Sequence, residues 1–266
     1  MKISHEVPLS LLDKSLEFND YQYVLPLFWN KYPKYKEFML EYRKQKDSFI
    51  ILDNGIFEGN APSRDELISI IYELKPNIFI PEDVWNDSKA TLASAEQWMK
   101  NVKPFLPEST QLMAVLQGNS LDELILTYKH LIDLGYTHIS INHSSIAYAN
   151  MFSYDTPPLL AACAGRVGLI EKLIESDCFV KENYHHLLGA SLVSEFSHYK
   201  GEKYDFIKSV DTSNPILVGA EGERYGDKGV NWKPKSKIEH YFEKDLGEQL
   251  EDIIFNVNKF KEFCNK

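Results

Sequence analysis

The chain has 266 residues, of which 44% are hydrophobic and 26% charged, and its formal net charge is −10 at pH 7. This composition is typical of a globular protein, and no apolar run approaches the length that spans a bilayer. The acidic balance excludes a protein that coats nucleic acid indiscriminately, because that function needs a basic surface, but it allows a local basic groove.

The length suits one large α/β domain or two small ones, and we expect a single domain over residues 1–266. The N-terminus has a charge at position 2 and no apolar signal core, so a cytoplasmic location is expected. The cysteines Cys163, Cys178 and Cys264 are odd in number and form no Cys-x-x-Cys pair. They predict buried free thiols rather than a disulfide framework or a thiolate zinc site.

The first 47 residues contain two candidate strands, Lys2–His5 and Tyr21–Pro26, and a helix around Lys34–Arg43. This region is unusually rich in aromatic residues, for which we expect packing in the core, with a nucleic-acid stacking platform as the alternative. The aromatic residues are Tyr21, Tyr23, Phe28, Trp29, Tyr32, Tyr35, Phe38 and Tyr42.

From Ser48 onward, strands alternate with helices. Ser63 with Glu66, and Ser120 with Glu123, have the spacing of capping boxes that start helices. The predicted strands are Phe49–Leu52, Asn77–Pro81, Leu112–Leu116, Thr137–Ile141, His185–Gly189 and Phe206–Val210. The predicted helices run from Ser63 to Leu74, near Ser88–Lys100, from Ser120 to Leu134, over Val167–Ser176 and near Leu192–Tyr199.

About eight strands with crossover helices predict a closed (β/α)₈ barrel of the TIM type. An open doubly wound sheet is the alternative, but the chain has no Gly-rich phosphate turn after its first strand and no Walker lysine. The polar segment Ser144–Pro158 is long enough to be a lid. Leu246–Phe263 has apolar residues at helical spacing and predicts an amphipathic C-terminal helix packed on the barrel.

Polar side chains directly follow five of the predicted strands. Because the carboxyl ends of parallel strands meet at one face of a barrel, these side chains are expected to converge on one site. They are Asp53, Glu82 with Asp83, Gln117, Asn142 and Asp211.

Three segments and one strand carry a resemblance to a known family. The segments are Leu52–Gly59 (LDNGIFEG), Val115–Asn119 (VLQGN) and Leu187–Ser191 (LLGAS), and the strand that ends in Asp211 follows them. In order, spacing and strand-end position they resemble the signature of the tRNA-guanine transglycosylase superfamily. The resemblance covers the chain from about Ser48 to Gly222.

The resemblance implies a catalytic role for Asp211 and Asp53. In the family, the aspartate matched by Asp211 attacks C1′ of a guanosine nucleotide, and a 7-deazaguanine then resolves the glycosyl ester. A carboxylate suits an oxocarbenium-like transition state, because it stabilises positive charge and also forms a bond. Asp53 matches the aspartate that moves a proton to or from the base. The alternative is that both aspartates are ordinary turn residues.

The family's base pocket maps onto seven further residues. Asp83 and Gln117 match the positions that bind the edge of the base, where a carboxylate and a carboxamide suit the donors and the acceptor of guanine. Phe57 and Leu188 match the residues that sandwich the ring. Gly189 belongs to the same motif as Leu188. Asn142 and His143 stand where the family often has glycines whose backbone lies near the base substituent.

The chain departs from the tRNA enzymes after Asp211. Those enzymes carry a zinc-binding Cys-x-Cys-x-x-Cys with a later His, whereas only Cys264 follows here, so neither zinc nor another cofactor is expected. A basic segment, residues 222–237, occupies the region where those enzymes carry the zinc motif, and its glycines predict that it is flexible. We expect it to contact phosphates through Arg224, Lys228, Lys233, Lys235 and Lys237.

A short, zinc-free barrel is more similar to the phage branch that places 7-deazaguanines, such as preQ0-like bases, in DNA. The expected partners are therefore DNA and a free 7-deazaguanine base, in a host cytoplasm, with tRNA as the alternative nucleic acid and no membrane. Two other functions stay open: a metal-dependent barrel hydrolase and a silent partner subunit of a transglycosylase. Adjacent His185 and His186 point to opposite faces of a strand, which disfavours their joint binding of one metal ion.

Overall fold

The computed structural model describes residues 1–57, 59 and 61–265. Eight parallel strands form a nearly closed barrel with surrounding helices, in the order β1-β8-β7-β6-β5-β4-β3-β2. This confirms the predicted (β/α)₈ fold. The strands are β1 (Lys2–Ser4), β2 (Gln22–Val24), β3 (Ile50–Leu52), β4 (Ile78–Phe79), β5 (Gln111–Leu116), β6 (His138–Asn142), β7 (Tyr184–Leu188) and β8 (Ile207–Asp211).

The strands form where apolar residues are buried on both faces, as in other parallel sheets covered by helices. The ends of all eight strands lie within two residues of the predicted ends. The seam of the barrel lies between β1 and β2. There the backbone N–H of Tyr23 donates to Ser4 Oγ (3.1 Å) and the N–H of Asp20 donates to the carbonyl of Ile3 (2.8 Å).

The helices cover the outside of the barrel. All eight aromatic residues singled out near the N-terminus lie in the core or pack against it. None of the helices in the described part of the chain combines the length and apolar character needed to cross a membrane. The α-helices are α1 (Leu12–Phe18), α2 (Pro26–Trp29), α3 (Pro33–Arg43), α4 (Arg64–Leu74), α5 (Ser88–Gln97), α6 (Leu121–Asp133), α7 (Ile146–Ala149), α8 (Pro158–Glu175), α9 (Asn214–Ala220) and α10 (Leu250–Asn265).

Shorter helical turns complete the connections. The helix predicted near Leu192–Tyr199 is a 3₁₀ turn, Val193–Ser197, so β7 and β8 are joined without an α-helix. A π-helical turn, Trp98–Val102, extends α5. The other 3₁₀ turns are Leu9–Leu11, Lys103–Phe105, Glu202–Tyr204 and Ile238–His240.

One of the two expected capping boxes is complete. Ser63 accepts the backbone N–H of Glu66, whose carboxylate accepts the N–H of Ser63. Ser120 also caps its helix, but the Glu123 carboxylate accepts the N–H of Asn119 at 2.9 Å instead of closing the box.

The segment predicted as a lid is partly a packed helix. It contains α7, which lies against α8, and Tyr148 of α7 is buried. Gly165 of α8 lies so close that a Cβ there would come within 2.3 Å of the Tyr148 Cβ. Helix α8 begins at Pro158, well before the predicted Val167, because proline suits the first helical position.

The C-terminal amphipathic helix is confirmed as α10. Its buried residues include Ile253, Val257 and Phe260. It packs tightly on α9. Gly219 of α9 lies so close to Ile253 of α10 that a Cβ on Gly219 would be 2.7 Å from the Ile253 backbone nitrogen.

A buried ion pair fixes the ends of two strands. The Arg166 guanidinium of α8 donates to Glu195 from Nε (2.6 Å) and Nη2 (3.0 Å), and both side chains are fully buried. Its Nη1 donates to the carbonyls of Ile141, Leu188 and Gly189 at 3.0–3.4 Å. Arg166 therefore holds the carboxyl ends of β6 and β7 together.

We expect Glu195→Gln to lower the free energy of unfolding by about 3–5 kcal/mol, because it leaves the buried Arg166 charge uncompensated. Chemical denaturation measures this. The matched control is Glu175→Gln, which removes an exposed carboxylate paired with Lys172 and should cost less than about 1 kcal/mol. Equal losses in the two variants would contradict a supporting role for the buried pair.

Candidate active site

A cavity of about 330 Å³ opens at the carboxyl ends of the strands. The structure brings together at this cavity all nine residues predicted for catalysis and base binding. They are Asp53, Phe57, Asp83, Gln117, Asn142, His143, Leu188, Gly189 and Asp211.

Asp211 ends β8 and is 6% exposed. Its Oδ1 accepts hydrogen bonds from His186 Nε2 (2.9 Å) and from the Gly189 N–H (3.0 Å). Burial alone would raise the pKa of Asp211, but the His186 hydrogen bond and charge and the Gly189 N–H together bring it below its ordinary value. Asp211 is thus an ionised carboxylate at neutral pH.

A chain of hydrogen bonds orients His186. Its Nε2 donates to Asp211, and its Nδ1 forms a hydrogen bond with the Ser209 hydroxyl, 2.8 Å away. Ser209 in turn accepts from the Tyr184 hydroxyl at 2.8 Å. The donor to Asp211 is held in place by this chain.

Asp53 directly follows β3 and is also buried. Its oxygens accept the Tyr23 hydroxyl (2.8 Å) and the Gly55 N–H (3.1 Å). Burial raises the pKa of Asp53 to about 6, and the charge of Asp211 adds to the rise, although both hydrogen bonds oppose it. Asp53 can therefore take up or release a proton near neutral pH.

The residues that support the two aspartates were not among the predicted site residues. Tyr23 was predicted to pack in the core, with a nucleic-acid stacking platform as the alternative, and His186 was considered only as a metal ligand. The rings of Tyr23 and His186 stack at a centroid distance of 6.0 Å. The residue that donates to Asp53 therefore lies against the residue that donates to Asp211. Strand alternation could have found His186, because it points into the barrel while His185 points outward to Tyr128 at 2.9 Å.

Asp83 and Gln117 contact each other at the far wall of the cavity. Asp83 accepts Gln117 Nε2 (2.6 Å) and Asn54 Nδ2 (2.9 Å), while Gln117 Oε1 accepts the Asn86 N–H at 3.0 Å. These bonds fix the orientation of both side chains. Burial raises the pKa of Asp83 above its ordinary value.

Two aromatic rings stand at the mouth of the cavity. Phe57 is 51% exposed and Trp85 is 54% exposed, with ring centroids 6.4 Å apart. Leu188, also in the cavity wall, is half-buried. Trp85 was not among the predicted site residues, although it lies two positions after the strand-end carboxylate Asp83 and also lines the cavity.

Gly189 and His143 are in close contact. Gly189 has a φ of +69°, and a Cβ there would lie 2.6 Å from His143 Nδ1, so a larger residue does not fit. Burial lowers the pKa of His143 to about 3, and the charges of Lys233 and Arg166 add to this, so the ring is neutral. The neighbouring Asn142 accepts the Tyr148 hydroxyl at 3.2 Å.

Two further cavity residues were also missed. Glu6, just after β1, hydrogen-bonds to Asp211 and contributes to lowering its pKa. Asn214 accepts the Tyr225 hydroxyl through Oδ1. Its Nδ2 is buried without a hydrogen-bond partner among the residues described, which leaves a donor for a group bound in the cavity.

The basic residues of segment 222–237 divide into two sets. Lys233, Lys235 and Lys237 line the cavity, and Lys237 Nζ lies 5.1 Å from the Phe57 ring centroid. Arg224 instead forms an ion pair with Asp252 of α10, and Lys228 is exposed outside the cavity wall. One of the glycines that predicted flexibility is closely packed. Gly229, at φ +79°, lies against Val193, and a Cβ there would come within 2.4 Å of the Val193 side chain.

No protein-family model matches the chain, and no curated protein matches it. Within the described part of the chain, no group of three or more His, Cys, Asp or Glu side chains is arranged to hold a metal ion.

We expect Asp53→Asn to stabilise the folded chain at high pH. Since the pKa of Asp53 is raised in the folded state, its protonated form favours folding at low pH, and this contribution is lost as the pH rises through 6. A rise from 3.8 to about 6 corresponds to about 3 kcal/mol. The free energy of unfolding of the variant, relative to wild type, should increase by about 2–3 kcal/mol between pH 4 and pH 8.

The measurement is denaturant unfolding at several pH values. Asp133→Asn, which changes an exposed carboxylate on α6, is the control and should show no comparable pH-dependent gain. A difference between Asp53→Asn and wild type that stays constant with pH would contradict the raised pKa.

Proposed function

We propose that the protein is a base-exchange glycosyltransferase that replaces guanine in DNA with a 7-deazaguanine. The observation that carries the proposal is a pair of buried carboxyl groups in one cavity with different donors: Asp211 accepts from an imidazole and a backbone N–H, and Asp53 accepts from a tyrosine hydroxyl and a backbone N–H. In keeping with this, the pKa of Asp211 is lowered and that of Asp53 is raised to about 6. Such a pair supports a nucleophile and a proton donor in one site. The resemblance to the transglycosylases assigns the same roles to the same residues.

In the first half-reaction, Asp211 attacks C1′ of the guanosine nucleotide. The His186 and Gly189 donors hold the carboxylate in place through Oδ1. The new bond joins a carboxylate oxygen of Asp211 to C1′, the C1′–N9 bond breaks, and its electron pair leaves with guanine. Protonated Asp53 gives its proton to the departing base, and a glycosyl ester on Asp211 remains.

The second half-reaction restores the starting state. Asp53, now ionised, accepts the N9 proton of the incoming 7-deazaguanine, and N9 attacks C1′ and displaces the Asp211 carboxylate. Two inversions at C1′ give net retention. A pKa of about 6 suits this double role, because the group must both give and take a proton near neutral pH.

The opposite wall supplies recognition of the base. The Asp83 carboxylate has lone pairs beyond those used by Gln117 and Asn54, and they can accept the N1–H and the amine hydrogens of guanine. Phe57 and Leu188 provide apolar contact for the faces of the ring.

The decisive experiment is incubation of the protein with labelled guanine and either duplex DNA or tRNA. We expect label in DNA. Label entering only tRNA would support the queuosine-type alternative, and label in neither would reject base exchange.

We expect Asp211→Asn to reduce exchange by at least about 10³-fold, because a carboxamide keeps the shape but is a poor nucleophile. Circular dichroism and the unfolding midpoint establish that the variant is folded, and Asp133→Asn is the control with normal turnover. Near-normal exchange by Asp211→Asn would remove Asp211 from this role.

The phosphate contacts are expected from Lys235 and Lys237, which are exposed at the cavity rim. The double variant Lys235→Gln/Lys237→Gln should bind nucleic acid more weakly, with a salt slope lower by about 0.7–0.9 per lost contact. Arg224→Gln should leave the slope unchanged, because Arg224 is already paired with Asp252. The dependence of binding on salt concentration measures both, and an unaltered slope in the double variant would place the phosphate contacts elsewhere.

A further inference from the structure

Lys233 belongs to the basic segment but lies inside the base cavity. Its side chain is half-buried, and its ammonium donates a hydrogen bond to His143 Nε2 at 3.1 Å. The same nitrogen lies 6.0 Å from the centroid of the Phe57 ring. A half-buried ammonium beside a predicted base-stacking ring is placed to contact the base rather than the phosphates.

His143 holds this ammonium in position. Because its ring is neutral, Nε2 accepts from Lys233 and Nδ1 carries the hydrogen, next to Gly189 and the Leu188 backbone. Glycine at position 189 leaves the space that the ring needs. An ammonium has three N–H donors, and the imidazole takes only one of them.

The barrel order determines which edge of the base faces Lys233. In the proposed reaction the base extends from Asp211 on β8 toward Asp83 and Gln117, which follow β4 and β5. One arc of the barrel between these points contains β7 and β6, and the other contains β1, β2 and β3. Asp53 therefore lies on one side of the base, and His143 with Lys233 lies on the other.

The chemistry orients the base between these two sides. A 7-deazaguanine has carbon at position 7, so the proton that Asp53 moves must belong to N9 or N3. The edge with N9 and N3 then faces β3. The opposite edge, which carries the 7-substituent, faces β6 and the Lys233 ammonium.

We propose that Lys233, held by His143, forms the subsite for the 7-substituent and selects a hydrogen-bond acceptor, a nitrile or a carboxylate, over a cationic aminomethyl group. The inference rests on the proposed function and adds a specificity-determining residue to it. An acceptor gains a charge-assisted hydrogen bond, whereas an aminomethyl cation meets a like charge in a partly desolvated cavity.

The test is the binding of four bases to the wild-type protein by titration calorimetry. They are unsubstituted 7-deazaguanine and its 7-cyano, 7-carboxy and 7-aminomethyl derivatives. We expect the cyano or the carboxy base to bind about 10- to 100-fold more tightly than the unsubstituted base, and the aminomethyl base to bind more weakly than it. Comparison of the cyano and carboxy bases identifies which acceptor is preferred.

Lys233→Met should remove this discrimination, and Lys233→Arg should keep it because the charge remains. The matched control is Lys129→Met, which removes an exposed lysine on α6 and should leave the order of the four bases unchanged. An aminomethyl base that binds wild type as tightly as the cyano and carboxy bases would overturn the inference, even if the variants fail to fold. A folded Lys233→Met variant that binds the four bases in the same order of affinity as wild type would also overturn it.

Guanine exchange into DNA and tRNA is measured on the same wild-type preparation. Its absence would reject the proposed function, whereas normal guanine exchange without discrimination among the four bases would reject only the role of Lys233. The two failures are therefore distinguishable.

Discussion

The burial of two carboxyl groups in one cavity is the constraint on which the rest of the site depends. An ionised carboxylate taken out of water is costly unless donors replace its hydration. Asp211 has the stronger hydrogen-bond donors, an imidazole and a backbone N–H, and it stays ionised. Asp53 accepts from a neutral hydroxyl and a backbone N–H, and it is easily protonated. The rings of Tyr23 and His186, which donate to the two carboxyl groups, stack against each other.

The same constraint recurs below the site. Arg166 is fully buried, and its charge is balanced by Glu195, which also accepts the Tyr199 hydroxyl. The remaining guanidinium nitrogen of Arg166, Nη1, donates to the carbonyls at the ends of β6 and β7. The position of the Gly189 N–H that reaches Asp211 is therefore set by an ion pair outside the cavity.

Much of this architecture was predictable, and the exceptions have physical causes. All eight strands were predicted, five of them as short runs that end in polar residues, and the strand-end rule with the family resemblance predicted nine of the residues that line the cavity. Contacts between distant parts of the chain were not predictable. Tyr23 is 30 residues from Asp53, and Lys233 is 90 residues from His143. The path of segment 222–237 has no periodic pattern, so composition alone put Arg224 and Lys233 in one group, although one pairs with α10 and the other enters the cavity.

The depth of Asp211 has a consequence for the form of the nucleic acid. The carboxylate is 6% exposed, and the mouth of the cavity is bordered by Phe57 and by Lys237, whose ammonium lies 3.5 Å from the Phe57 carbonyl. A nucleotide stacked inside a double helix cannot reach a group at this depth. For the proposed reaction, the target nucleotide has to rotate out of the helix, which costs a few kcal/mol in a paired duplex and least at an unpaired or mismatched position. Local opening of the helix would then influence which guanines react, in addition to any sequence contacts.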